Sequence, residues 1–198
     1  MARFLKDLIV DAIWGKAVPQ PASGDDGKNL QYDHNASSFA YASPTPAATA
    51  SEINTGTEAA KYISPDALAG SNPGKKLIEL AIVAPDTDVA TGDGKAYFVV
   101  PDELNGMNLV RVAATVITAG ITGATTIQIA NVTDSQDMLS TLMNIESGET
   151  STRTSATPGT INTSYDDVAT GDVLRIDVDA VSTTAPKGLI VEIVFQLP

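Results

Sequence analysis

From Lys76 onward the sequence is a succession of short apolar-rich stretches, each cut off by Gly, Asp, Asn or Pro. This rhythm constrains the fold more than anything else in the chain. Leu77–Val83, Lys95–Val100, Leu109–Ile117, Thr125–Val132, Asp172–Asp179 and Gly188–Leu197 all read as strands. Met138–Ile145 is ambiguous between a strand and a helix period, and a weak strand is expected near Gly159–Ile161. The clearest stretch is Asp172–Asp179. There Leu174, Ile176 and Val178 share one face, while Arg175, Asp177 and Asp179 take the other, because successive strand side chains point to opposite sides. Gly188–Leu197 is apolar on both faces in places, which predicts a central strand or one at a subunit contact. Strands without intervening long helices argue against a parallel sheet. The expectation is a mainly β chain: an antiparallel β-sandwich or jelly roll over 76–198. The string Val-Ala-Thr-Gly-Asp occurs twice, at Val89–Asp93 and Val168–Asp172, each time before a strand, and reads as a repeated turn solution.

The first 75 residues have another texture and divide into three. In 1–15, Phe4, Leu5, Leu8, Ile9, Ala12 and Ile13 recur at helical spacing, Val10 and Trp14 widen the stripe, and Gly15 can end it. The spacing predicts an amphipathic N-terminal helix that anchors the chain on a partner, with Phe4, Leu5, Leu8, Ile9, Ile13 and Trp14 as its contact residues. Residues 16–50, with Pro19, Pro21, Pro44 and Pro46, have the composition of an extended arm. Within it Leu30, Tyr32, Phe39 and Tyr41 flank Asp33-His34-Asn35, which fits a small hairpin. Residues 51–75 predict two short helices. One opens at Ser51-Glu52-Ile53 and stops near Gly56. The other has Ser64 as N-cap, Pro65 in the first turn, Asp66 at the positive end, and Gly70 as a left-handed terminator.

Composition narrows the chemistry. There is no cysteine, hence no disulfide, thiolate nucleophile or cysteine metal site. The only histidine, His34, sits in a polar loop, and no Gly-x-Ser-x-Gly elbow accompanies it. Gly24–Lys28 lacks the glycine spacing and the Lys-Ser/Thr pair of a phosphate loop. Carboxylates cluster at Asp86 and Asp88, Asp93, Asp166 and Asp167, and Asp177 and Asp179, in no EF-hand spacing. No catalytic residue, cofactor or metal is expected, and the chain reads as non-enzymatic. The net charge is −12 and uneven: residues 76–198 carry six Lys/Arg against sixteen Asp/Glu, which repels nucleic-acid backbones. No run approaches the ~20 apolar residues of a membrane span, and no secretory leader is expected.

Gly56-Thr57-Glu58-Ala59-Ala60-Lys61-Tyr62-Ile63-Ser64-Pro65, followed by Leu68, resembles the G-T-x-x-x-K-Y-[VI]-[ST]-P-x-x-L segment of many tailed-bacteriophage fibre and virion-surface proteins. Gly24-Asp25-Asp26-Gly27-Lys28 with Leu30 is similar to a G-D-D-G-K-x-L unit that recurs in phage fibres. Together the two cover roughly residues 20–71. The resemblance implies a structural virion protein, assembled in the host cytoplasm and displayed on the particle surface. It would be a short homotrimeric capsid decoration or head-fibre knob, held through its arm by other virion proteins such as the major capsid protein or a tail or baseplate component. In that frame Gly56, Thr57, Lys61, Tyr62, Ile63, Ser64, Pro65 and Leu68 form the junction between arm and knob. The alternative is a tail-fibre or receptor-binding tip for a host-surface glycan or protein, with loops 86–95, 120–124 and 146–158 and the aromatics Tyr97 and Tyr165 as candidate contacts.

Overall fold

The computed structural model describes residues 12, 13, 16, 17, 19, 22, 23, 27–33, 36–57 and 59–198. The arm contributes β1 (Ala12–Ile13), β2 (Lys16–Ala17), β3 (Asn29–Asp33) and β4 (Ser38–Ala42). Two short helices follow, α1 (Ala50–Thr55) and α2 (Pro65–Ala69). Then come β5 (Lys76–Asp88), β6 (Gly92–Val99), β7 (Met107–Thr115), β8 (Thr125–Asn131), β9 (Gln136–Asp137), β10 (Leu139–Thr141) and β11 (Met143–Ile145). The chain ends with β12 (Thr160–Ile161), β13 (Asp167–Val168), β14 (Val173–Ala180) and β15 (Lys187–Gln196).

Two antiparallel sheets carry the β-domain. One has the order β13–β7–β15–β5; the other has β11–β8–β14–β6, with β9 added on β8. The chain alternates between them, β5 to β6 to β7 to β8, and returns through β14 and β15 to the centre of each sheet. Period-2 patterning explains the packing. Leu189, Val191, Ile193 and Phe195 of β15 turn inward and are fully buried, as are Leu174 and Ile176 of β14 and Ile127 and Ile129 of β8, and all belong to one core. Val191 lies opposite Leu80 on one side and Ala114 on the other, so the inward rows of three strands line up. Each fully buried aliphatic or Phe side chain contributes about 1.5–3 kcal/mol. The central strand expected from 188–197 is β15. Met138–Ile145 resolves into two strands, β10 pairing with β12 and β11 with β8, so the chain changes partner near Leu142.

Several expectations need correction. Ala12 and Ile13 are not helical: they pair as β1 with β2, Ile13 opposite Lys16. Strand pairing between these short segments wins over the helical period at Ala12 and Ile13. Phe4, Leu5, Leu8, Ile9 and Trp14 lie outside the described residues, as does His34. Gly70 is right-handed, with φ −73°; the left-handed cap is Gly56, with φ 64°. The first helix is capped by Thr49, two residues before the expected start. Asp177, placed outward by alternation, is buried. The arm hairpin matches its expectation: Leu30 pairs with Tyr41 and Tyr32 with Phe39, and the Tyr32 and Phe39 rings lie 5.0 Å apart. No helix among the described residues is long and apolar enough to cross a membrane.

Candidate functional site

The junction is built by local capping. Thr49 Oγ1 accepts from the Glu52 amide at 3.3 Å, and the Glu52 carboxylate accepts from the Thr49 amide at 2.9 Å, which closes a capping box. Lys61 Nζ donates to the other Glu52 oxygen at 2.5 Å. The Lys61 ammonium, followed by the two Thr49 donors, holds the Glu52 carboxyl down at about 2. Gly56 ends the helix by donating to the Glu52 carbonyl at 3.0 Å, and Thr57 Oγ1 sits 3.1 Å from Thr55 Oγ1. The chain then returns: Ala48 N donates to Tyr62 O at 2.8 Å, in a parallel bridge between Ala47 and Tyr62. Ser64 Oγ caps the second helix through the Ala67 amide at 3.2 Å, and Pro65 fills the first turn. Asn54 Oδ1 accepts from Asn72 N at 2.6 Å and ties the first helix to the turn that follows the second. Gly74 is required by close approach, since a Cβ there would stand 2.3 Å from the Ala69 carbonyl oxygen. Gln196 Nε2 at the end of β15 donates to that same oxygen at 3.0 Å, fastening the junction to the sandwich.

The eight junction residues therefore divide. Gly56, Thr57, Lys61, Ser64 and Pro65 shape the turns and caps. Tyr62 and Ile63, each 57% exposed, and Leu68, 43% exposed, point apolar surface at solvent.

A second assembly lies at the end of β8. Asn131 is buried and fully employed. Its Nδ2 donates to Asp134 Oδ2 at 2.8 Å and to Asp172 Oδ2 at 3.0 Å, and its Oδ1 accepts from Thr133 N and Asp134 N. These bonds fold 131–135 into a tight turn, in which Ser135 adopts the left-handed conformation with φ 56°. The turn forms one wall of a concavity of about 360 Å³ lined by Asn131, Asp134, Gln136, Tyr165 and Asp167. A neighbouring concavity of about 320 Å³ shares Asn131 and Gln136 and extends to Asp137 and Arg175. Arg175 is committed elsewhere: its Nε and Nη2 donate to the buried Asp177 Oδ2 at 3.0 and 2.8 Å, and Gly94 N donates to Asp177 Oδ1 at 2.7 Å. Burial, followed by the carboxylates of Asp177, Asp93 and Asp137, pushes the Asp179 carboxyl up.

The loops singled out from sequence gather at the opposite end of the sandwich. Gly148 N donates to Gly120 O at 2.9 Å, Thr122 N to Ser147 Oγ at 2.9 Å, and Val89 N to Pro186 O at 2.8 Å. Tyr97 stands on edge strand β6 and not with them. Tyr165, one of the expected contact residues, lines the first concavity. Its companions Asp134 and Gln136 were missed; the only hint was the polar run Asn131-Val-Thr-Asp-Ser-Gln-Asp137 between strands. No group of three or more His, Asp or Glu among the described residues could hold a metal ion. No protein-family model matches this chain, and neither a curated protein nor a solved structure matches it.

Proposed function

We propose that the chain is a non-enzymatic structural protein of a tailed-bacteriophage virion, a short homotrimeric capsid decoration or head-fibre knob held to the particle by its N-terminal arm. The observation that carries this reading is the arm. Strands β3 and β4 form a two-stranded sheet of their own, apart from both sheets of the sandwich. A lone two-stranded hairpin is marginally stable in water. It gains stability by lying on another surface, here other copies of the chain and the shell beneath, where repeated weak contacts add up. The exposed Tyr62, Ile63 and Leu68 fit the same contact zone. We read the strand orders β5–β15–β7–β13 and β6–β14–β8–β11 of this sandwich as a jelly-roll arrangement, an architecture used by viral coats and by lectins, which supports the proposal by analogy of fold alone.

Deleting residues 1–46 tests it. Ala47 and Ala48 remain to hold Tyr62, so the truncated chain is expected to melt cooperatively as a soluble β-protein and to be missing from purified particles that incorporate the full chain. Decoration by the truncated chain would show that the arm is not the anchor. The copy number of the full chain per particle, many or few, separates a capsid coat from a tail appendage. A second reading, a receptor-binding tip, is favoured by one feature, the concavity beside Tyr165.

A further inference from the structure

We propose that the concavity beside Tyr165 is a binding site for a neutral hexopyranoside, with Tyr165 as the surface on which the sugar ring lies and Asp134, Gln136 and Asp167 as the groups that bond its hydroxyls. The volume comes first. About 360 Å³ falls at the small end of the ~300–1,000 Å³ in which small-molecule sites are found, and the adjoining concavity of about 320 Å³ across Gln136 leaves room for a second ring.

The chemistry of the walls comes next. Tyr165 is 43% exposed, and among the described residues its hydroxyl has no partner. An exposed aromatic ring offers an electron-rich face, which suits the slightly positive C–H face of a pyranose, together with a polar edge. Asp134 gives one carboxylate oxygen to Asn131 and keeps the other available. The Gln136 amide and the Asp167 carboxylate make no side-chain bond to a described residue either. Two carboxylates accept from hydroxyls, a carboxamide donates and accepts, and a phenol does both. This is the mixed donor and acceptor set that a ring of hydroxyls requires, and an apolar ligand would leave all of it unpaired.

Rigidity supports the same assignment. The saturated Asn131 and the left-handed Ser135 fix the wall before any ligand arrives, so little ordering remains to be done on binding. Charge then selects among sugars. Asp134 and Asp167 line the concavity, and Arg175, which lines the adjoining one, is tied to Asp177. Uronates, sialosides and sugar phosphates are repelled, and uncharged rings are not.

The inference deepens the binding-tip reading and rests on it for the origin of the sugar on a host surface. The experiment is saturation-transfer NMR on the full chain with methyl glycosides of glucose, galactose and mannose, N-acetylglucosamine and glucuronate, each in excess. ¹⁵N shifts of the Gln136 side-chain amide locate the contact. At least one neutral glycoside is expected to receive saturation and move Gln136, and glucuronate to do neither. Tyr165→Ala should weaken binding by about tenfold or more, while Tyr165→Phe, which keeps the ring, retains most of it. Silence from every neutral glycoside, equal binding of glucuronate, or an unchanged response in Tyr165→Ala overturns the site. Competition by the best neutral glycoside against adsorption of particles to host cells is the separate arm. Binding of the free sugar with no effect on adsorption keeps the site and removes the binding-tip reading.

Discussion

Asp172 is 6% exposed and Asp93 has a side chain 72% exposed, although each ends the string Val-Ala-Thr-Gly-Asp. The difference is in their partners. Asp172 Oδ2 accepts from Asn131 Nδ2 at 3.0 Å and from Ala169 N at 2.9 Å, bonds that close the 169–172 turn and hold the turn after β8. Asp93 has only a 3.7 Å approach from Arg175, in water. Removing one carboxylate strands two donors, one of them buried, while removing the other frees a solvated charge. Asp172→Ala is therefore expected to lower unfolding free energy by about 2–3 kcal/mol, and Asp93→Ala to stay within about 0.5 kcal/mol. Urea midpoints measure both, and similar losses at the two sites would remove the role given to the Asp172 bonds. Nothing local in the string distinguishes the two aspartates. What sets Asp172 apart is Asn131, distant in sequence, and for the same reason the wall of the sugar concavity could not be read from spacing.

At the scale of the element, the junction shows which signals stay local. Ser64-Pro65-Asp66 announces a helix start because a cap, the amide that donates to it and the first turn lie within four residues, and the second helix begins there. The helix stops at Gly70 as expected, but without the left-handed conformation. Gly70 N and Ser71 N find the Asp66 and Leu68 carbonyls without a left-handed residue, because Ser71 and Gly74 turn the chain back against the helix end. Ser64→Ala should cost about 1 kcal/mol locally, seen as faster amide exchange at Ala67 and Leu68 with the midpoint of global unfolding little changed. A fall in the global midpoint alone would mean that the helix does not open separately. Glu52 supplies a pH test. Its carboxyl lies at about 2 in the folded chain against 4.5 ordinarily, so its contribution is complete above about 4.5 and is lost as pH falls through about 2. The Thr49 amide, which donates to this carboxylate, is expected to report a titration near pH 2, absent in Glu52→Gln. A midpoint near 4.5 would mean that the Lys61 pair does not persist in solution.

For the whole molecule, the main strands and their antiparallel order were legible because they alternate and end in turn residues, whereas the two-residue β9 and β13 and the division of Met138–Ile145 into β10 and β11 were too short to show a period. Which strands lie side by side was not legible, since β5 meets β15 from the far end of the domain and only the shared core decides that pairing. The resulting sandwich is unevenly closed. Its central strands β14, β8 and β15 bury their inward rows completely, with Leu174, Ile129 and Phe195 at 0% exposure. Along the β5 and β6 edges the inward Ile78, Leu80, Ile82 and Phe98 are only partly covered. A side chain that is already half in water loses less on truncation and leaves no sealed void. Phe195→Ala is accordingly expected to cost about 3–5 kcal/mol, whereas Leu80→Ala should cost less than the ~2–5 kcal/mol of a fully buried leucine. Edge amides of β5 are expected to exchange through local opening well before those of β14 and β15, which await global unfolding. Chemical denaturation of the two variants, with exchange mapped by strand, measures both differences. A Leu80→Ala loss as large as that of Phe195→Ala would mean that the β5–β6 side is sealed in solution.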